Sequence, residues 1–574
     1  MKKRLSVLVV LLIFVLVTAF AACDKFKNPG DELGGGGTGE VAIPVDTTTL
    51  NETKEAVQAK ADLSELAKDT SATGATTVSP TSDVVEISAS GTYLFKGTYG
   101  GIYIAKEKLT LHFIFDGATI KNSDGVAIDG SVNKKTTLTI TLKAGSTNRI
   151  ENDGEDVNAI HVKGTLAING KGTLNVVSNS KSAIKASKEI QIVDATLNLT
   201  ATNHGITGAA VVASNCTINV IEAGKDGINA ECDEATEFAL DDGYVVLTDV
   251  DYLCDVEDDG IQGNTVVFID GGDYAISSVG KGIKVSEVTF TSKDDDGNKV
   301  DNTVTDGDYL IAIVSGTFDI NSTDDGIHAN SGSVLIEDGT FTISTGDDAI
   351  TATELVKVSG GEITITKSYE GLEGAYVEIS GGKINLVSSD DGINVASEDR
   401  NVKPHIIISG GEVTVNASGD GIDSNGSILI SGGTVIVHGP TSGHDAGLDA
   451  DRGIVVTGGT LFASSTLGMV ETPSTNSTQY VVSYAQQESI KAGSIVSLRD
   501  KKGNVLIEVT VQKNCQSVIM SSPELKDGET YYIYGNNTKI TSFKVSSVIT
   551  SIGTTGSRFP SGGPGGPGGG PGRP

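Results

Sequence analysis

Tryptophan is absent from this 574-residue chain, aromatic residues make up only 5% of it, and there are three methionines. Large side chains therefore cannot fill the interior, and small aliphatic and β-branched residues must do so, which suits a thin, stacked β architecture. Positive charge is also scarce: 42 Lys and Arg stand against 74 Asp and Glu, giving a formal net charge of −32. That balance excludes nucleic acid as the main partner, because phosphate binding draws on clustered cations. A cation is the expected companion instead. Cysteine is sparse, and Cys216, Cys232, Cys254 and Cys515 match no zinc or redox spacing. They read as buried thiols, with a Cys232–Cys254 bridge as the alternative in an exported protein.

What the chain does have begins with an export signal over residues 1–22. Met1-Lys2-Lys3-Arg4 is followed by an apolar run from Leu5 to Phe20. The run ends in Phe20-Ala21-Ala22-Cys23, which resembles a bacterial lipobox and makes Cys23 the expected lipid-anchored residue, although Phe20 departs from the usual Leu. No second apolar stretch is long enough to span a bilayer, so the rest is expected on the bacterial cell surface, extracellular, touching the membrane only through that lipid. Residues 23–78 read as a flexible stalk, with Gly34 to Gly37 at its start. Within it, Leu50 to Lys68 has helical spacing suited to a helix that caps the open end of the structure that follows. Residues 551–574 form a Gly/Pro-rich tail expected to be disordered.

Between these segments a motif of the form Asp-Asp-Gly-Ile-x-Ala returns in register, as in Asp324-Asp325-Gly326-Ile327-His328-Ala329 and Asp390-Asp391-Gly392-Ile393-Asn394-Val395. From Ala183 onward the aligned Gly or Ala positions step by 22, 22, 33, 22, 44, 23, 22, 21, 29 and 26 residues, the long steps being double periods or insertions. A second motif, as in Ile379-Ser380-Gly381-Gly382-Lys383-Ile384, runs half a period out of phase. Each 22-residue unit holds three short alternating strands and tight turns, and cannot bury its apolar face alone. Stacking of successive units is the predicted solution: an all-β right-handed parallel β-helix over 79–472, its hand taken from the general preference of parallel crossovers and from precedent. Hairpins in a β-sandwich array give no reason for the same Asp-Asp-Gly-Ile to return at near-constant intervals. Beyond residue 472 the repeat stops, and 473–550 reads as a small β module or an end cap.

Stacking turns the repeat into columns of acid. The residue before each aligned Gly or Ala gives Asp226, Asp259, Lys281, Asp325, Asp348, Glu370, Asp391 and Asp420; the one before that gives Asp258, Asp324, Asp347, Asp390 and Asp445. Carboxylates about 5 Å apart repel one another and ask for a compensating charge. Ca²⁺, which takes about six to eight oxygens, would convert the repulsion into cross-linking. The metal ligands expected are Asp226, Asp258, Asp259, Asp324, Asp325, Asp347, Asp348, Asp390, Asp391 and Asp420. Against this, Asp-Gly is a good turn former with its carboxylate in solvent, which explains single aspartates but not pairs in consecutive units. Lys281 interrupts the column as an internal counterion or, alternatively, a catalytic base. The x positions, among them Asn229, Gln262, Lys284, His328 and Asn394, form a polar stripe suited either to hydrogen-bonding a sugar chain or simply to solvent.

These repeats, the stretch Ser517-Val518-Ile519-Met520-Ser521-Ser522-Pro523-Glu524-Leu525 and the Gly/Pro tail resemble bacterial carbohydrate-binding β-helix proteins of cellulolytic clostridia and their relatives. The resemblance covers roughly residues 80 to 550. It implies a calcium-loaded, non-catalytic right-handed β-helix on the cell surface that binds plant cell-wall polysaccharide such as polygalacturonate or cellulose and is related in shape to pectate lyases; a monomer is expected. With no Trp and few Tyr, this chain departs from a flat aromatic platform for cellulose, which favours an acidic polysaccharide. The alternative is a calcium-dependent polysaccharide lyase with Lys281 or Lys284 as base, which the surrounding acid disfavours by raising a lysine's pKa. A purely structural rod is the third reading.

Overall fold

The computed structural model describes residues 42–68, 73–132, 135–232, 238–293, 299–305 and 307–554. The export signal, Cys23, the acidic loop Asp294 to Asp296 and the Gly/Pro tail beyond residue 554 lie outside the described residues. The fold is all-β, and its two large sheets are built mainly from parallel strands.

Parallel pairing follows the repeat. Each Ile-x-Ala segment is a three-residue strand paired with its counterpart one unit away, so that Ile327 lies beside Ile350, Ile350 beside Leu372, and Leu372 beside Ile393. Fifteen such strands form one sheet. In fourteen of them the Ile or Leu that opens the strand points inward and is at most 1% exposed, whereas the x residue lies on the opposite side of the pleat. The other two strands of each unit, such as Leu355–Val358 and Glu362–Lys367, build two further ladders. In several units they run through the bend as one strand, as in Tyr244–Val256. The interior is a continuous column of Ile, Val and Leu, with Tyr274, Phe318 and Phe341 as its largest stack, at 4.8 and 4.6 Å between ring centroids. The Gly-Gly turns are sterically required: Gly382 has φ +80, and a Cβ there would meet the Gly360 and Gly361 carbonyl oxygens at 2.7 and 2.8 Å. The 44-residue step holds an antiparallel hairpin, Thr289–Lys293 with Lys299–Thr303, and is an insertion.

The segment expected as a flexible stalk is instead partly ordered, and its helix does not cap an end. Thr48–Gln58 lies across the outer face of one long ladder, where Leu50, Val57 and Leu63 are buried with Val212, Val246, Phe268, Leu310 and Leu335. That face is apolar on its outside as well as its inside, because its strands carry aliphatic residues at successive positions, and the helix removes it from water. Val45 N–H donates to Glu378 Oε1 at 2.6 Å, Lys54 pairs with Glu337, and Asn169 Nδ2 donates to the Leu66 carbonyl at 2.7 Å. The strap therefore spans strands that lie far apart in sequence. Strand Thr76–Val78, also inside the expected stalk, pairs in parallel with Gly91–Tyr99.

At the other end, Thr460–Ser465 is met by the antiparallel strand Cys515–Ser521, which closes the last parallel edge. A four-stranded antiparallel sheet follows, with its own core around Val496, Leu498, Met520 and Ile533. None of Cys216, Cys232, Cys254 and Cys515 is in a disulfide, so the Cys232–Cys254 bridge does not form.

Candidate functional site

The aspartate column is built at the turn into each three-residue strand. Its carboxylates do not simply face water: Asp226, Asp259 and Asp325 are 2–4% exposed. Each spends one oxygen on the next unit. Asp226 Oδ1 accepts the Asp259 N–H at 3.1 Å, Asp259 Oδ1 that of Lys281 at 2.7 Å, and Asp325 Oδ1 that of Asp348 at 3.0 Å. Asp348 does the same for Glu370 at 3.0 Å, Asp391 for Asp420 at 2.6 Å, and Asp420 for Ala446. Upstream, where the motif has no acid, Asn158 Oδ1 accepts the Ser182 N–H at 3.1 Å. This geometry explains why the position needs a short side chain with a carbonyl-like oxygen, and the other carboxylate oxygen is left for a neighbour.

Among the described residues, carboxylate oxygens converge in four groups whose ligand atoms lie within 4.8 Å of one another: Asp226, Asp258 and Asp259; Asp324, Asp325 and Asp347; Asp348, Glu370 and Glu373; and Asp391, Asp420 and Asp423. Glu373 and Asp423 join from the x column, where sequence spacing alone gave no reason to add them. Asp390 is in none of these groups, although its charge helps to raise Glu370 and Asp391.

Electrostatics divides the groups into two kinds. Lys281 Nζ lies 2.8 Å from Asp324 Oδ2 and 2.7 Å from Asp325 Oδ2, and His328 Nδ1 is 2.7 Å from the same Asp325 oxygen. Burial alone would raise Asp325, but the hydrogen bonds from His328 and Lys281 outweigh it and hold the group at about 2. Burial would likewise lower Lys281, and the two aspartates reverse the sign. Lys284 Nζ neutralises Asp259 at 2.7 Å, and His204 Nδ1 lies 3.0 Å from Asp226 Oδ2. Farther along, the described residues include no such partner. Burial, then the charge of Glu373, pushes Glu370 up to about 8, and the same two causes raise Asp348. Asp391, Asp420 and Asp423 are each pushed up to about 7, by burial first and by neighbouring carboxylates after it.

The x column is not the open polar stripe expected. Asn229 is 1% exposed and donates to Glu231 Oε1 at 2.8 Å. Lys284 and His328 turn onto the aspartate column, and Asn394 Nδ2 donates to both Glu370 oxygens at 3.2 and 3.1 Å. Gln262 Nε2 donates to Ser286 Oγ at 3.2 Å. These residues brace carboxylates and neighbouring turns, because the three-residue strand is too short to carry its x side chain clear of the turn beside it.

Stretches 81–349, 283–401 and 347–508 match the family model described as carbohydrate-binding domain-containing protein. Among solved structures, the polysaccharide lyase-like protein from C. thermocellum, in a gadolinium derivative, shares 27% identity at a TM-score of 0.33, over 36% of this chain and 86% of its own. No curated protein matches the chain. With the repeat, the parallel ladders and most of the length accounted for by those three stretches, this chain belongs to the family of carbohydrate-binding domain-containing proteins.

Proposed function

We propose that this is a calcium-dependent, non-catalytic polysaccharide-binding lipoprotein of the bacterial cell surface, built on a right-handed parallel β-helix. The observation that carries the calcium reading is the pair of largely half-buried carboxylate groups that have no cation beside them among the described residues, Asp348/Glu370/Glu373 and Asp391/Asp420/Asp423. Three further details fit an oxygen-seeking divalent ion. All donors in these groups are carboxylate oxygens, the kind Ca²⁺ prefers. A Cβ at Gly419 would meet Asp391 Oδ1 at 2.4 Å and Asp390 Oδ1 at 2.6 Å, so glycine keeps the cradle open. Beside the Asp226 group, Asn229 Oδ1 is a buried oxygen with no hydrogen bond. Calcium bound there would supply positive charge between carboxylates and a coordination position for a uronate oxygen.

Asp324, Asp325 and Asp347 are the weakest candidates of the set, since Lys281 and His328 already supply their charge. That pairing also weighs against the lyase alternative, because a lysine locked between two aspartates is held protonated and is a poor base. The ligand favoured is an acidic cell-wall polysaccharide such as polygalacturonate, with cellulose second. Anchorage rests on the Cys23 lipobox-like sequence.

The test is binding of the chain without its first 23 residues to polygalacturonate and to cellulose, with and without chelator, while ultraviolet absorbance follows unsaturated products. Chelator-sensitive binding without product is the expected result. Product that disappears in Lys281→Ala would put the lyase first, and no binding to either polymer would leave a structural rod. The strap must be kept in the protein used, because removing residues 42–68 would bare the apolar outer face.

A further inference from the structure

The four-stranded sheet after residue 480 has an outer face unlike the rest of the molecule. From Tyr480 to Thr554 the chain carries eight Lys and Arg against six Asp and Glu, a net charge of +2 in a protein of −32. Along strand Thr530–Gly535, Tyr531 and Ile533 point into the core at 4% and 0% exposure, so Tyr532 and Tyr534, half-buried, lie together on the other side of the pleat. Both are attended by cations. The Arg499 guanidinium lies 4.6 Å from the Tyr534 ring centroid and Lys539 Nζ lies 5.4 Å from that of Tyr532.

Arg499 is fixed in place: its Nε donates to Ser497 Oγ at 2.9 Å, and Nη2 to Asn537 Oδ1 at 2.7 Å and Glu508 Oε2 at 3.3 Å. Lys539 is exposed and makes no ion pair among the described residues. The module's core, around Val496, Leu498 and Ile533, lies on the opposite side and includes neither Tyr532 nor Tyr534. Tyr532, Tyr534 and Lys539 also lie beyond residue 508, where the family match ends.

We propose that this face is a second polysaccharide-binding surface, which takes a uronate chain without calcium. Tyrosine offers the apolar faces and edges of a sugar ring a flat partner, while Lys539 and the remaining donor capacity of Arg499 meet carboxylates. Charge complementarity commits the occupant. An anionic polymer is repelled by the acidic repeats unless calcium intervenes, and meets here a segment of net positive charge with Arg499 and Lys539 at the two tyrosines. The inference rests on the reading of the protein as a polysaccharide binder, but not on its calcium.

Affinity electrophoresis of the protein through gels holding polygalacturonate, with chelator present, tests it. Retardation is expected to persist in chelator, to weaken about tenfold in Tyr532→Ala/Tyr534→Ala, and to weaken in Lys539→Glu, a single exposed change that leaves the core alone. Asp391→Asn/Asp420→Asn should leave the chelator-resistant component unchanged while weakening the calcium-dependent one. Loss of all retardation in chelator, equal retardation by the tyrosine variant, or equal retardation in a neutral glucan gel would each overturn the proposal. A wild type that gains nothing from calcium would instead overturn the calcium reading and leave this surface standing.

Discussion

Asp391 Oδ1 accepts the backbone N–H of Asp420 at 2.6 Å, tying one repeat to the next through a side chain that also belongs to an acidic group. Structure and charge are thus separable at this position. Asp391→Asn keeps an acceptor oxygen, as Asn158 does upstream, and should keep the stack while weakening calcium binding. Asp391→Ala leaves a part-buried N–H unpaired and should lose about 1 kcal/mol in chelator. Denaturant midpoints in chelator, beside calcium titrations, separate the two.

Stability of the calcium-free protein should fall as pH rises. Asp391, Asp420 and Asp423 stand at about 7 and Glu370 at about 8 in the fold, against about 4 for such groups in an unfolded chain. The folded state therefore holds more protons between pH 4 and these values. The contribution is fully present below about pH 4 and is lost through pH 7 to 8. Melting temperatures in chelator from pH 5 to 8.5 should decline, and saturating calcium should flatten or reverse the slope. An unchanged slope with calcium would remove these carboxylates as ligands.

Lys281→Met removes the cation shared by Asp324 and Asp325. Asp325 is then left with His328 as its partner, Asp324 is partly exposed, and a loss of about 1–3 kcal/mol is expected in thermal or chemical unfolding. Restoration by the additional changes Asp324→Asn and Asp325→Asn would show that the loss is electrostatic. A variant as stable as the parent would sink the counterion role.

Val57 is fully buried where the strap crosses the ladder. Val57→Asp should release residues 48–68 from the face, at a cost of about 1.5–3 kcal/mol from lost apolar burial alone. Limited proteolysis should then cut within that stretch, and the dye ANS should bind the bared Val246, Phe268 and Leu310.

The near-constant 22-residue return of Asp-Asp-Gly-Ile was enough to place the parallel ladders and the inward Ile, because stacking forces equal residues into columns. It also placed the acid beside acid, so most members of the four carboxylate groups were legible by number. Which groups keep their charge unmet was not legible. That depends on Lys281, Lys284 and His328 reaching across units, and on Glu373 and Asp423 turning back toward the column, all matters of side-chain direction. The strap was hidden for a related reason: Leu50, Val57 and Leu63 announce an apolar helix face, but nothing in their spacing says which of many apolar surfaces it covers. Local periodicity determined the repeat and its columns; only the packing of distant segments decided what those columns face, because contacts across more than a hundred residues leave no period in the chain.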